Sequence, residues 1–150
     1  MLKNLCTNQT FLTIISGVFV FILSQFLYEK YIQPFKKYNK LKGRTSYMLT
    51  LYAHYYSNPY NLLNKQEGNK LKEKYYIASD EMRKLGAELD GFINEIPKFY
   101  IGIPKKEKLK QAVRGIMGIS NSFFTNSEDV LIRDSSKYVE TIMKNLKLYR

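Results

Sequence analysis

Between Asn4 and Tyr28 the chain carries no charged side chain, and Phe11–Leu27 (FLTIISGVFVFILSQFL) is almost wholly apolar apart from Thr13, Ser16, Ser24 and Gln25. Coiled as a helix, Leu5–Tyr28 rises about 36 Å, enough to cross a hydrocarbon layer ~30 Å thick. Only Lys3 precedes the run, whereas six Lys/Arg against one acid follow within residues 28–44. That asymmetry places the N-terminus outside and the remainder in the cytoplasm, as a single-pass protein of the inner (cytoplasmic) membrane. Ser24-Gln25-Phe26-Leu27-Tyr28 offers no small-x-small cleavage site, so the run reads as a retained anchor and not a signal peptide.

The expected division is residues 1–33 as a transmembrane anchor and residues 34–150 as a cytoplasmic helical domain, with Pro34 as the joint. Tyr28 and Tyr31 then fall at the headgroup level, where amphipathic rings are favoured. Ser16, Gly17, Ser24 and Gln25 are the candidates for contacts between anchors, because small and polar residues help helices associate in lipid.

Past Pro34, Phe35, Tyr38, Leu41, Met48, Leu51 or Tyr52, Tyr55 and Tyr56 recur at helical spacing, and Asn58-Pro59 ends the pattern. One helix is expected over about 35–57. Leu71, Tyr75, Ala78, Met82, Leu85, Leu89, Phe92 and Ile96 follow at alternating intervals of four and three, a stripe that a strand of period 2 cannot produce; Pro97 stops it. Leu109, Ala112, Val113, Ile116, Met117, Ile119, Ser120, Phe123 and Phe124 make a wide apolar face, as on a helix buried between neighbours. Ser127 as N-cap, with Glu128 and Asp129 in the first turn, opens a last helix whose stripe is Leu131, Tyr138, Ile142, Leu146 and Tyr149. The fold class is therefore all-α: an N-terminal transmembrane helix and a three- or four-helix bundle, with loops at 58–69, 97–104 and 125–127 and no strand pattern.

Cys6 is the only cysteine and His54 the only histidine. A disulfide within the chain, a His-based metal site and a Ser-His-Asp triad are all disfavoured. Without a Gly-x-Ser-x-Gly elbow or spaced carboxylates, no catalytic residue, no cofactor and no enzymatic activity is expected. Gly115-Ile116-Met117-Gly118 matches a GxxG loop in letters only, because Ile and Met sit within a helical stripe. Close approach of a neighbouring helix is the better use, with Gly86 and Gly91 as the facing surface. Ser120, Asn121 and Ser122 are a polar island that either hydrogen-bonds in the core or lines a pocket.

The formal charge is +11, and it is local. Lys36, Lys37, Lys40, Lys42 and Arg44 form one basic cluster, suited by position to anionic lipid headgroups. Lys105, Lys106, Lys108, Lys110 and Arg114 form a second, which lies at the same end of the domain if the helices run antiparallel. Nucleic acid is the rival ligand of both. Abundant Lys, Asn, Ile, Tyr and Phe, with no Trp, fit the AT-rich codons of a low-GC bacterium.

IQPFKKYNKLKGRTSYMLTLYAHYYSNP, ASDEMRKLGAELDGFINEIP and IPKKEKLKQAVRGIMGISNSFF, in that order after the anchor, resemble a family of uncharacterised small bacterial single-pass membrane proteins. Tyr56-Ser57-Asn58-Pro59, Ala78–Leu85 and Gly118–Ser122 carry the likeness, which covers about residues 10–125. It implies an N-terminal anchor and a cytoplasmic helical domain, and brings no activity or cofactor. The expected function is a membrane-anchored, non-enzymatic helical domain that binds a partner protein or self-assembles at the cytoplasmic face. Two alternatives stand beside it: a membrane-disrupting effector that forms a pore through its anchors, and a membrane-tethered nucleic-acid binder.

Overall fold

The structure is a computed structural model and describes residues 9–62, 69–96, 100–125 and 128–148. Cys6, Pro97, Ser127 and Tyr149 lie outside the described residues. The chain is all-helical in character and divides into two compact units, Met1–Lys37 and Tyr38–Arg150.

In the first unit, α1 (Gln9–Leu27) buries none of its residues. Its mean hydropathy reaches 2.1 over an 18-residue window, and it is long and apolar enough to cross a membrane. Tyr28–Ile32 forms a π-type turn, closed by the Gln33 N–H on the Tyr28 carbonyl. Two residues later Pro34 has no N–H to offer the carbonyl four positions back. The wider turn accommodates its ring, as such turns do inside α-helices. The joint expected at Pro34 is therefore helical, and α2 (Gln33–Leu51) continues through it.

The second unit is built from α2 beyond Lys37, α3 (Ala53–Ser57), β1 (Tyr60–Asn61), α4 (Asn69–Glu95), α5 (Lys106–Asn121), β2 (Phe124–Thr125) and α6 (Glu128–Leu146). Successive long helices run antiparallel. Ser79 bonds Ser120 while Gly86 faces Met117, so α4 and α5 advance in opposite directions. Ser122 meets Ser135, Gly118 lies under Tyr138 and Gly115 against Ile142, which reverses α6 against α5. Across α2 and α4, Tyr38 stacks on Phe92, Arg44 pairs with Glu88 and Tyr52 bonds Glu81.

The heptad stripe of α4 is the core. Tyr75, Ala78, Met82, Leu85, Leu89, Phe92 and Ile96 are buried as expected, while Leu71, at 41% exposure, is not. Leu109, Ile116, Ile119 and Phe123 are fully enclosed from the facing side; burying a side chain of this size is worth about 1.5–3 kcal/mol.

Three sequence expectations change. The helix expected over 35–57 breaks at Tyr52 (φ −99°, ψ 13°), where the Tyr55 N–H closes a tight turn on the Tyr52 carbonyl at 3.0 Å. Two short strands, unseen in the sequence, pair in parallel as Tyr60 with Phe124 and Asn61 with Thr125. A Cβ on Gly91 would meet nothing within 4 Å, so that residue is not a facing surface. The partner of Gly115 and Gly118 is α6, whereas Gly86 is the glycine that lets α5 approach α4.

At its C-terminus α6 closes on a residue in the left-handed region. Lys147 has φ 53°, and the Leu148 N–H reaches back to the Met143 carbonyl at 2.9 Å. That arrangement caps the last carbonyls and turns Leu148 back onto the core.

Candidate functional site

The two serines of the polar island at the end of α5 are buried. Ser120 donates to the Ser79 carbonyl at 2.8 Å and Ser79 donates to the Ser120 carbonyl at 3.0 Å. Arg83 adds Nε–H to Ser120 Oγ at 3.1 Å and Nη2–H to Asn121 Oδ1 at 3.0 Å. Ser122 donates to the Ile119 carbonyl and accepts from Ser135. Among the described residues every buried side-chain polar atom has a partner. The island therefore joins helices through the buried Ser120 and Ser122, while Asn121 is exposed beside Arg83. Sequence spacing marked Ser120 and Ser122 but not Ser79, which sits one position off the apolar stripe.

Several tyrosines are likewise used internally. Tyr55 meets Tyr75 edge-on with ring centroids 4.7 Å apart, and Tyr60, Phe123 and Phe124 extend the same aromatic group. Their hydroxyls are occupied: Tyr38 on the Leu146 carbonyl, Tyr56 on Leu49, Tyr75 on Asn58 and Tyr52 on the Glu81 carboxylate. Burial, and then the hydrogen bond to Glu81, push the Tyr52 hydroxyl above its ordinary pKa. His54 is exposed, with its ring edge towards Tyr55.

Of the first basic cluster, Lys36, Lys37 and Lys40 are exposed and Lys42 is half-buried. Lys36 lies over the Tyr28 ring at 5.3 Å. Arg44 is held by Glu88 at 2.5 Å, so its charge is already matched within the domain.

In the second cluster Lys105, Lys108, Lys110 and Arg114 are exposed and Lys106 is half-buried. Lys105 is the N-cap of α5 and makes no side-chain cap, with Lys106 and Lys108 in the first turn. Cations there oppose the helix dipole, at about 0.3–1 kcal/mol each on an exposed helix. The antiparallel packing sets their position. Tyr38 touches Phe92 and Leu146, so the start of this unit, the end of α4, the end of α6 and the start of α5 share one pole. Lys40, Lys105, Lys106 and Lys108 gather there, beside a turn whose Ile101 is 94% exposed.

On α1, Thr13 donates to the Gln9 carbonyl and Ser16 to the Thr13 carbonyl, so both hydroxyls are satisfied within their own helix. Gln25 reaches Glu29 at 3.2 Å, and a Cβ on Gly17 would meet nothing. Ser24 is exposed.

An open groove of about 490 Å³ runs between α3 and α6, lined by Tyr56, Val139, Met143 and Leu148, with Glu140 and Lys144 among its polar residues. Among the described residues no group of three His, Cys, Asp or Glu side chains is placed to hold a metal. No protein-family model, curated protein or solved structure matches the chain.

Proposed function

We propose that this chain is a single-pass membrane anchor carrying a cytoplasmic four-helix domain, which binds a partner protein or a second copy of itself at the inner membrane face without catalysing a reaction. The observation that carries the reading is α1. Its nineteen residues are uncharged and mostly apolar, yet none is buried. In water such a helix exposes a continuous greasy surface far beyond what soluble proteins leave uncovered; in lipid that surface is matched. The lysines that follow it supply the cytoplasmic flank and a set of headgroup contacts, with Lys36, Lys37 and Lys40 better suited than the paired Arg44.

Partner binding draws support from the outer surface of the helical domain. Tyr47 is 63% exposed and Leu51, one turn on, 48%. Ile77 on α4 is 52% exposed and lies one turn before Glu81, which bonds Tyr52. Exposed apolar side chains of this kind are suited to covering by another protein surface.

The pore reading has less behind it, because Thr13 and Ser16 satisfy their hydroxyls within α1 and need no neighbour. The nucleic-acid reading loses Tyr38, Tyr56, Tyr60 and Tyr75 to the core, although Tyr47 and Tyr76 stay exposed. In-membrane crosslinking at Tyr47→Cys, combined with alkaline carbonate extraction, tests the proposal. Retention in the membrane with a discrete crosslinked species is expected. Release by carbonate, or a strictly monomeric protein with no crosslinked partner, refutes it.

A further inference from the structure

The pole that gathers the lysines also carries the most exposed large apolar side chain of the described residues, and the two belong to one short segment. Tyr100 and Ile103 pack onto the core, Ile103 being buried. Between them Gly102 takes φ 86°, a left-handed conformation that tightens the turn and leaves Ile101 at its tip. Pro104 follows, and Lys105 opens α5 directly. Within residues 100–114 five cations stand against the single acid Glu107. The local rules of helix design are broken here. Lysines occupy the positive end of a helix dipole with no side-chain cap, and an isoleucine faces water. An anionic, half-apolar surface resolves both conflicts together.

We propose that Tyr100–Pro104, with Lys105, Lys106 and Lys108 behind it, is a second membrane contact of the helical domain. Ile101 enters the boundary between headgroups and acyl chains of an anionic bilayer, and the three ammonium groups meet the lipid phosphates. Lys40, at the same pole, adds to the same field. The inference rests on the membrane reading above and deepens it: the helical domain has a bilayer contact of its own besides the anchor.

The test uses the full chain in a Cys6→Ser background, reconstituted into vesicles of phosphatidylcholine with or without phosphatidylglycerol. An environment-sensitive fluorophore is placed at Ile101→Cys, at Asn69→Cys on the opposite pole, or at Phe19→Cys in α1. Expected for Ile101 are a blue shift and quenching by shallowly brominated lipid in anionic vesicles alone, with no response at Asn69. Lys105→Glu/Lys106→Glu/Lys108→Glu abolishes the Ile101 signal. These changes favour the α5 dipole, so unchanged circular dichroism separates loss of binding from loss of fold. If Phe19 is quenched by deeply brominated lipid while Ile101 behaves like Asn69, the second contact is wrong and the anchor stands. An unquenched Phe19 overturns the membrane reading and the inference with it. A response of the Ile101 probe to added nucleic acid, with none to anionic lipid, also overturns the proposal.

Discussion

The separation of α5 from α6 is set by a missing side chain, and replacing Gly115 measures it. A Cβ at Gly115 would lie 2.8 Å from Ile142 Cγ1 and 3.2 Å from the Tyr138 carbonyl oxygen. Ile142 is fully buried, and the carbonyl belongs to the backbone of α6, so neither yields without moving the helix. Alanine is worth about 1 kcal/mol over glycine inside a helix, while overfilling a packed interface costs about 1–3 kcal/mol. With one of the two contacts on the backbone the cost falls at the upper end, leaving a net loss of about 1–2 kcal/mol. Gly91→Ala is the control. It is the same chemical change in a helix interior, but with nothing within 4 Å of the new methyl. It should gain about 1 kcal/mol. Urea unfolding of the full chain in micelles, followed by near-ultraviolet circular dichroism of the tyrosines, reads both. Each kcal/mol corresponds to about 4–8 °C in the thermal midpoint for a domain near 100 residues. Gly115→Ala as stable as wild type, beside a stabilised Gly91→Ala, would show that α5 and α6 do not approach as closely as described.

Ser120→Ala should cost about 1–3 kcal/mol, because the Ser79 carbonyl loses the Ser120 hydroxyl and the Arg83 Nε–H loses its acceptor in the interface; Ser79→Ala/Ser120→Ala should cost less than the two single changes added, in a double-mutant cycle of urea midpoints. Lys147→Gly should gain about 1 kcal/mol by relieving a left-handed residue, and an unchanged midpoint would deny the helix cap at Leu148. Because Tyr52 is held above the ordinary tyrosine value of 10.0, its contribution is complete below that pH and is lost as pH rises through the raised value. Tyr52→Phe should therefore flatten the alkaline fall in stability, measured by unfolding between neutral and strongly alkaline pH. Phe19→Lys places a charge mid-way along α1 at about 2.5–3.5 kcal/mol of insertion energy, and should shift the protein into the carbonate-soluble fraction.

Long-period features were legible in the sequence. The alternation from Leu71 to Ile96 predicted α4 and all but one of its stripe positions as buried, because seven regular intervals leave no other geometry. Leu71 fails for a local reason: it lies in the first turn of α4, beyond the part that α5 covers. The apolar run predicted a helix of spanning length, since charge and length alone decide that. Short-range and pairwise features were not legible. The two-residue strands are too short for any period to register, and the break at Tyr52 follows a stretch that remains apolar and helix-compatible. Gly115 and Gly118 announced a close approach, but only the chain's turn after Ser122 determines that α6 is the neighbour. The clusters at Lys36 and Lys105 were visible as charge; that Arg44 is committed to Glu88, and that Ile101 stands beside Lys105, needed the packing.

The reciprocal bonds between Ser79 and Ser120 bear on more than stability. A stripe that repeats every seven residues fits its partner almost as well when slid by one repeat, and burial alone does not penalise the slip. Sliding α4 by seven residues would set Ser120 against Gly86 or Lys72, leaving its hydroxyl without the Ser79 carbonyl and Arg83 without Asn121. The serine pair occurs once along the seam and so acts as a key cut for a single alignment, much as a lone polar residue fixes alignment in a coiled coil. A domain in which both serines are alanine should keep most of its helix content and melt less sharply, because several alignments of nearly equal energy then compete.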